Sequence, residues 1–304
     1  MGSEMCIRDS FQPESIERYK FIRSHDHLYS VKHMCELLGV SKSAYYSFKS
    51  RIEEHREVTQ IDRRIMGIFW AHKRRYGSRR IREELKDEGV SIGRRRISVI
   101  MKRHGLHAIQ PKSYVPKTTQ SPPGMLRSPN LLIEHQGLVD INQVWVGDIT
   151  YLPMKDHSWG YLSVWQDLYS RYIVGWRVFD HMRQSLIIES FKNALYVRRP
   201  NKGLIVHSDG GGQYGSHSFR KLLCNTLSLQ SMTRRDNHYD NATAESWFSR
   251  LKAELLENRR FEDMEHARRA CYDYIDAYYN TIRKHSSLGY KSPLQFEREL
   301  IDRN

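Results

Sequence analysis

The sequence predicts a mixed α/β domain preceded by all-α modules, and the order of its elements is the main reason. From about residue 140, three consecutive segments are rich in β-branched and aromatic residues and are predicted as strands: QVWVGDITYLP, WGYLSVWQDLYS and YIVGWRVFD. A helix at about 183–197, a short apolar strand (LIVHSD), a helix at 216–227 and a further strand (LQSMT) follow. Three strands followed by alternating helices and strands indicate a mixed sheet with helices packed on it.

The elements on either side of this sheet are predicted to be helical. DNATAESWFSRLKAELLE (240–257) and residues 263–282 are predicted as helices, and Pro293 is expected to close an irregular tail. Near the N-terminus, VKHMCELLGVSKSAYYSFKS (31–50) predicts two short helices, the second of which carries Lys42 and Tyr46. A helix, a glycine turn and a basic helix are typical of a helix-turn-helix, although an ordinary helical hairpin has the same pattern.

A second helical module follows at about 60–105. A helix over 60–75 precedes the amphipathic segment YGSRRIREELKDEG and the basic helix GRRRISVIMKRHG. Arg94, Arg95 and Arg96 lie in the first turn of that basic helix, where cations oppose the helix dipole. This placement favours arginines that face phosphate, although exposed arginines are common on any protein surface.

These patterns divide the chain into five predicted regions. The segment after residue 107 is rich in Pro, Ser and Thr, which is typical of a linker. The predicted regions are a non-structural start (1–12), a helix-turn-helix (13–52), a second helix-turn-helix-like module (53–107), a linker (108–135) and the α/β domain (136–304).

Charge and cysteine usage limit the classes of function. The net charge is +14, and residues 1–130 hold 26 Lys and Arg against 14 Asp and Glu, whereas 131–304 hold 23 against 21. Such asymmetry favours a polyanion, above all nucleic acid, as the partner of the N-terminal part, although a solvated basic face would look similar. The four cysteines form no CxxC pair, which argues against a zinc site or a disulfide framework. No apolar run of about 18 residues exists and no signal pattern opens the chain, so we expect a cytoplasmic protein without a membrane partner.

Three acidic residues stand out by position. Asp148 interrupts a predicted strand, Asp209 ends another, and Glu245 lies in the first turns of a helix. Each alone has an ordinary structural explanation: a hydrogen-bonding group, a turn residue, a charge favoured by the helix dipole. Together they supply the carboxylate oxygens that Mg²⁺ prefers, and a pair of such ions catalyses phosphoryl transfer. Lys252, seven residues after Glu245, is predicted to project from the same helix face.

The loop HSDGGGQY (207–214) resembles a phosphate-binding loop only superficially. No GK[ST] follows it and no GxGxxG opens a helix, so a nucleotide site is not predicted. The glycines are instead interpreted as clearance that lets a phosphate and a metal ion approach Asp209.

These motifs resemble the OrfB-type transposases of the IS3 family of insertion sequences, whose core is similar to that of retroviral integrases. The resemblance rests on VWVGDITY, HSDGGGQY and DNATAESWFSRLKAE, with 35 residues between Asp209 and Glu245. DLYSRYIVGW (167–176), YYNTIRKHSSLGYKSP (278–293) and the YGSRRI…VSIGRRRISVIMKRHGL region extend it to nearly the whole chain. The sequence departs from the family pattern at Gly210, where a larger polar residue is usual, at Gly212, where a small hydroxyl is usual, and at Asp236, where glycine is usual.

The resemblance implies a ribonuclease H-like core, two Mg²⁺ ions that Mn²⁺ can replace, and Asp148, Asp209 and Glu245 as catalytic metal ligands. It implies that Lys252 holds element-end DNA. The residues that it places around the site are His207, Gln213, Tyr214 and Asn241. It further implies binding to terminal inverted repeats and target DNA, a homo-oligomer on paired ends, an upstream OrfA-type partner, and association with the bacterial nucleoid.

The chemistry that follows is hydrolysis of a phosphodiester and then transesterification, without a covalent protein–DNA intermediate. Two other functions fit part of the sequence. A non-catalytic DNA-binding regulator would bind element ends without cleaving them. A ribonuclease H-type hydrolase would cut RNA–DNA hybrids, but it needs no helix-turn-helix modules, and the region 31–105 counts against it.

Overall fold

The computed structural model of the chain describes residues 13–56, 58–110, 127–133, 137–234, 242–257 and 259–302, with the backbone alone for 13–14, 51–56 and 242–245. The chain divides into two compact units at Gly67/Ile68. The predicted non-structural start (1–12) and most of the predicted linker lie outside the described residues.

The first unit is helical. Helix α1 (Pro13–His25), which the sequence pattern did not predict as an element, is followed by α2 (Val31–Leu37) and α3 (Lys42–Arg56). Ile22, Met34 and Tyr45 are buried between them, so each helix contributes to one small core. Charged residues recur on nearly every turn of α1, and this hides its apolar stripe in the sequence. The side chains of Lys42 and Tyr46 lie exposed on α3, one turn apart.

Three further helices follow. Helix α4 (Gln60–Ala71) spans the division between the units, and α5 (Ser78–Asp87) and α6 (Arg94–Arg103) belong to the second unit. Ile81 and Leu85, predicted as an apolar pair, are buried on α5, and Ile97 and Ile100 are buried on α6. The helix pair is fixed to the C-terminal part of the same unit, because the Arg80 guanidinium donates to the Lys284 carbonyl at 2.8 Å.

The predicted mixed sheet is confirmed. Its strands lie in the order β3-β2-β1-β4-β5, in which β1, β2 and β3 pair antiparallel and β4 and β5 run parallel to β1. This strand order agrees with the ribonuclease H-like core that the family resemblance implies. The strands are β1 (Val144–Pro153), β2 (Trp159–Asp167), β3 (Ile173–Phe179), β4 (Ile205–Ser208) and β5 (Leu229–Met232).

Two helices cover one face of the sheet, namely α7 (Gln184–Arg198) and α8 (His217–Asn225). The core beneath them is aromatic: Trp145, Trp165, Phe191 and Phe219 are fully buried. Gly147 is part of this packing, since a Cβ there would lie 2.5–2.6 Å from carbons of the Trp165 ring. Glycine at 147 therefore lets Trp165 lie flat against the strand, immediately before Asp148.

Most of the C-terminal part that the structure describes is helical. Helix α9 (Ala242–Leu251) continues into a π-helical turn at Lys252–Leu256, and α10 (Met264–Tyr274) continues into another at Ile275–Asn280. No helix in the described ranges is long and apolar enough to cross a bilayer.

Pro293 was expected to close an irregular tail and no helix was predicted there, but helix α11 runs from Pro293 to Ile301. Ser292 caps it: its hydroxyl accepts from Gln295 N at 3.3 Å, and the Gln295 side chain accepts from Ser292 N at 3.0 Å. Proline suits the first helical position because the amide that it lacks has no partner there. The sequence SPLQ is therefore the signal of a reciprocal helix cap rather than of a helix end.

Candidate active site

Strand register brings the first two predicted carboxylates together. In the parallel pair β1–β4, Gly147 lies opposite Ser208. Asp148 in β1 and Asp209, the residue that follows β4, therefore come at neighbouring positions. Such strands lie about 4.8 Å apart. Strand β4 ends at Ser208, whereas β1 continues to Pro153. The pairing of β1 with β4 therefore stops just before Asp148.

Both carboxylates line one open cleft of about 530 Å³. Asp148 and Asp209 are half-buried, so each side chain is partly exposed to solvent and partly covered by protein. The other residues that line the cleft are Ile149, Tyr151, Met182, Gln184, Gly212, Gln213, Tyr214 and Ser216.

Local hydrogen bonds orient the two carboxylates. Asp209 Oδ1 accepts from Gly211 N at 3.0 Å, which is the turn that a short acidic side chain makes with the backbone two residues on. Asp148 Oδ1 accepts from Ile149 N at 2.7 Å. Both side chains are thereby restrained before any ligand arrives.

Tyr214 is the aromatic residue whose ionisation these carboxylates influence. Its side chain is fully buried, and within the described part of the chain its hydroxyl has no hydrogen-bond partner. Burial, together with the negative charges of Asp148 and Asp209, raises the pKa of Tyr214 well above its ordinary value. The phenol therefore stays protonated, and it can donate a hydrogen bond at the cleft.

The structure separates the remaining predicted site residues. Gln213 lines the cleft, and its amide donates to the Met182 carbonyl at 3.2 Å. His207 is buried within the sheet, where Nδ1 lies 2.8 Å from the Ser231 hydroxyl and joins β4 to β5. It does not line the cleft, so its place is structural support. Asn241 lies outside the described residues, as does Asp236.

The third predicted carboxylate, Glu245, lies in the first turns of α9, a helix that packs against β1, the strand of Asp148. Only its backbone is described. Among the side chains that are described, no group of three or more His, Cys, Asp or Glu lies together in a way that could hold a metal ion. Lys252, half-buried, begins the π-helical turn that follows α9.

Comparisons with known proteins identify the family to which the chain belongs. The sequence matches models of the integrase core domain over residues 140–238 and 229–293, and an HTH-like domain over 55–114. It is 37% identical to the transposase of insertion sequence element IS904 from Lactococcus lactis, over 82% of this chain and 97% of that protein. It is 34% identical to the InsF transposase of IS3A from Escherichia coli K12, over 93% and 99%. The chain belongs to the IS3 family of insertion-sequence transposases. A solved HTLV-2 integrase catalytic core in complex with magnesium is similar at 18% identity and a TM-score of 0.40, over 53% of this chain and 99% of that one.

The predicted DNA-binding arginines of this transposase are not among the residues that line the cleft. Arg94, Arg95 and Arg96 are all exposed on the first turn of α6, inside the HTH-like match. Their side chains meet solvent while Ile97 fills the core behind them. This helix face can therefore meet a polyanion without disturbing the packing.

Sequence reasoning missed several residues around the transposase cleft. Tyr151, Met182, Gln184 and Ser216 line it, but they come from separate elements and share no motif with the aspartates. Arg127 was missed as well: it lies in the predicted linker, yet its guanidinium packs against Gly210, the residue after Asp209. Only the tertiary structure relates these positions to the site.

Proposed function

We propose that this transposase is a DDE enzyme that binds the terminal inverted repeats of its element, cuts their 3′ ends and joins those ends to target DNA. The observation that carries the proposal is the parallel register of β1 and β4, which puts Asp148 and Asp209 side by side in one cleft. The position of Glu245 on a helix that packs against β1 supports it.

The donor set of the cleft fits divalent cations. Carboxylate oxygens are the ligands that Mg²⁺ prefers, and the two aspartates present them at one point of the surface. Asp148, Asp209 and Glu245 would hold two Mg²⁺ ions, with Mn²⁺ as a substitute. When bound, these ions supply Lewis acidity at the phosphate and favour deprotonation of the attacking oxygen.

The protein's own groups bind and orient the DNA. Tyr214, protonated at neutral pH, keeps a hydroxyl donor that a DNA group entering the cleft can accept from, and the Gln213 amide is held by its hydrogen bond to the Met182 carbonyl. Lys252 contacts element-end DNA, and Asn241 shapes the site. Water cleaves the phosphodiester at the element end, and the released 3′-OH then attacks a phosphodiester of the target, so no serine or tyrosine nucleophile is needed.

The test is incubation of the full-length protein with DNA of the flanking element ends and Mg²⁺ or Mn²⁺. We expect cleavage at the 3′ ends and joined products, both absent with Asp148→Ala. Binding without cleavage under any metal condition would instead indicate a regulator. Cleavage of an RNA–DNA hybrid in preference to the repeat DNA would indicate a ribonuclease H-type hydrolase.

Recognition of the ends is assigned to the helical modules, the helix-turn-helix at 13–52 with Lys42 and Tyr46 and the module at 53–107. Replacing Arg94, Arg95 and Arg96 by glutamine is expected to weaken binding to the repeats and to lower the slope of log K against log salt by about 3, roughly one for each phosphate that an arginine no longer neutralises. Fluorescence anisotropy of labelled repeat DNA over a salt series measures that slope.

The matched control replaces three exposed cations of the α/β domain, Lys192, Lys202 and Arg269, by glutamine. The change in net charge is identical, so an equal loss of slope would show that only total charge matters and would refute the assignment. Point variants are preferable to truncation at about 130. Truncation also removes Tyr76 and Arg80, whose side chains bond the main chain of Lys284.

The transposase is further proposed to act as a homo-oligomer on paired ends, because both ends must be joined to one target. An upstream OrfA-type protein is its proposed partner in recognition of the ends. Sedimentation of the protein with DNA that carries one element end or two would measure how many copies of the protein bind to paired ends.

A further inference from the structure

We propose that Arg127 is a positioning residue of the active site, and that its guanidinium, which reaches from the segment ahead of β1, holds the loop that carries Asp209. The inference rests on the proposed function of the cleft. It assigns a role to a residue outside the catalytic motifs.

The first step is the space at Gly210. A Cβ added there would overlap the Arg127 guanidinium, with Nε at 2.8 Å, and the three nearest atoms all belong to Arg127. Gly210 does not lie in the left-handed region, so its backbone conformation does not demand glycine. The Arg127 guanidinium therefore occupies the space that a side chain at 210 would take, and such a side chain would displace it.

The second step is how Arg127 is held. The segment from Arg127 to Leu131 runs beside β5, the edge strand of the sheet. The Pro129 carbonyl accepts a hydrogen bond from Met232 N at 3.2 Å, and Leu131 N donates one to the Ser231 hydroxyl at 2.9 Å. Ser128 Oγ donates to the Gln230 side chain at 2.8 Å. These hydrogen bonds of Ser128, Pro129 and Leu131 hold the segment against β5.

The third step is what the guanidinium joins. Arg127 Nη1 donates to the Thr233 carbonyl at 3.3 Å, just after β5, while the same guanidinium packs on Gly210. It thus connects the end of β5 with the loop that carries Asp209. The adjacent strand side chains extend this connection, because Gln230 donates to Tyr214 O at 2.7 Å and Ser231 bonds His207.

The consequence is a fixed Asp209 loop. Three glycines in succession give that loop many accessible backbone conformations, and glycine loses more freedom on ordering than any other residue. A planar, multi-donor guanidinium packed against Gly210 restricts those conformations. Arg127 acts through Asp209: it holds the carboxylate where a metal ion would bind.

The test compares Arg127→Met and Arg127→Lys with the wild type, and adds a relocation variant, Arg127→Gly with Gly210→Arg. Affinity for Mn²⁺ is measured by calorimetry without DNA, and cleavage and joining of element ends are measured separately. Methionine keeps the length without the donors. We expect it to weaken Mn²⁺ binding several-fold and to slow joining at least tenfold, with repeat-DNA affinity within twofold. The relocation variant, which returns a guanidinium to the same space from the Asp209 loop, is expected to recover most of the Mn²⁺ affinity and most of the joining rate.

The outcomes separate this inference from the proposed function. If Arg127→Met binds Mn²⁺ and joins ends like the wild type, or if the relocation variant recovers neither, the positioning role is refuted. If the wild type neither cleaves nor joins, the proposed function fails, and the Mn²⁺ affinities of wild type, methionine and relocation variants still decide the role of Arg127. Melting curves verify that each variant is folded.

Discussion

Asp209→Asn is expected to reduce joining of element ends to target DNA by about a thousandfold or more, since both a metal ligand and its charge are lost. The substitution is nearly isosteric. The amide oxygen can still accept from Gly211 N, the bond that shapes the loop, so the fold of the loop is retained. Repeat-DNA binding is expected to stay within about twofold because the proposed recognition residues lie on the helical modules. Single-turnover joining and anisotropy are the two measurements.

The control is Asp273→Asn, which makes the same chemical change at an exposed position of α10. It should join DNA like the wild type. If Asp209→Asn keeps more than a tenth of the wild-type rate, Asp209 is not a catalytic metal ligand. The neighbouring Asp148 would then lose its partner in the proposed site.

Most of the strands and helices could be predicted from local sequence patterns, because each kind of element has its own local periodicity of apolar residues. The strand carrying Asp148 and the strand ending at Asp209 could be predicted from β-branched and aromatic runs, and the order of elements indicated the mixed sheet. The helix that begins at Pro293 was not predicted, because the proline was interpreted as the close of an irregular tail, although the serine before it and a glutamine two residues after it mark a helix start.

The rest of the site depends on contacts between distant segments, which periodicity does not reveal. Arg127 and Gly210 are separated by more than eighty residues, and each alone looks ordinary: an arginine in a polar linker and a glycine in a glycine loop. The position of His207 illustrates the converse. Its place in the motif predicted a residue that shapes the site; the structure puts it within the sheet, where it bonds the Ser231 hydroxyl, and it is not among the residues that line the cleft.

The buried pair of Glu254 and Arg283 leads to the second prediction. Arg283 Nη2 and Nε donate to the Glu254 carboxylate at 2.5 and 2.9 Å, and the Tyr274 hydroxyl donates to it at 3.0 Å. Both charged side chains are almost completely buried. Burial favours protonation of Glu254, but Arg283 outweighs it, so the pKa of Glu254 lies below its ordinary value.

Glu254→Gln is expected to destabilise the second unit by about 3–5 kcal/mol, because it leaves the Arg283 charge buried without its counterion. That change corresponds to a fall in melting temperature of roughly 10 °C for a unit of this size. Thermal unfolding followed by circular dichroism measures it. The control is Glu262→Gln, which breaks an exposed pair with Lys155 and should leave the melting temperature unchanged.

The pH dependence gives an independent check on the same pair. A carboxyl with a lowered pKa in the folded state contributes stability above its unfolded pKa, and that stability disappears as pH falls through the folded pKa. The difference in stability between wild type and Glu254→Gln should therefore be full at neutral pH and shrink under acid conditions. A difference that stays constant from neutral pH to well below the ordinary carboxyl range would mean that the ion pair does not stabilise the fold. The buried arginine of the YYNTIRKHSSLGYKSP block would then need another explanation.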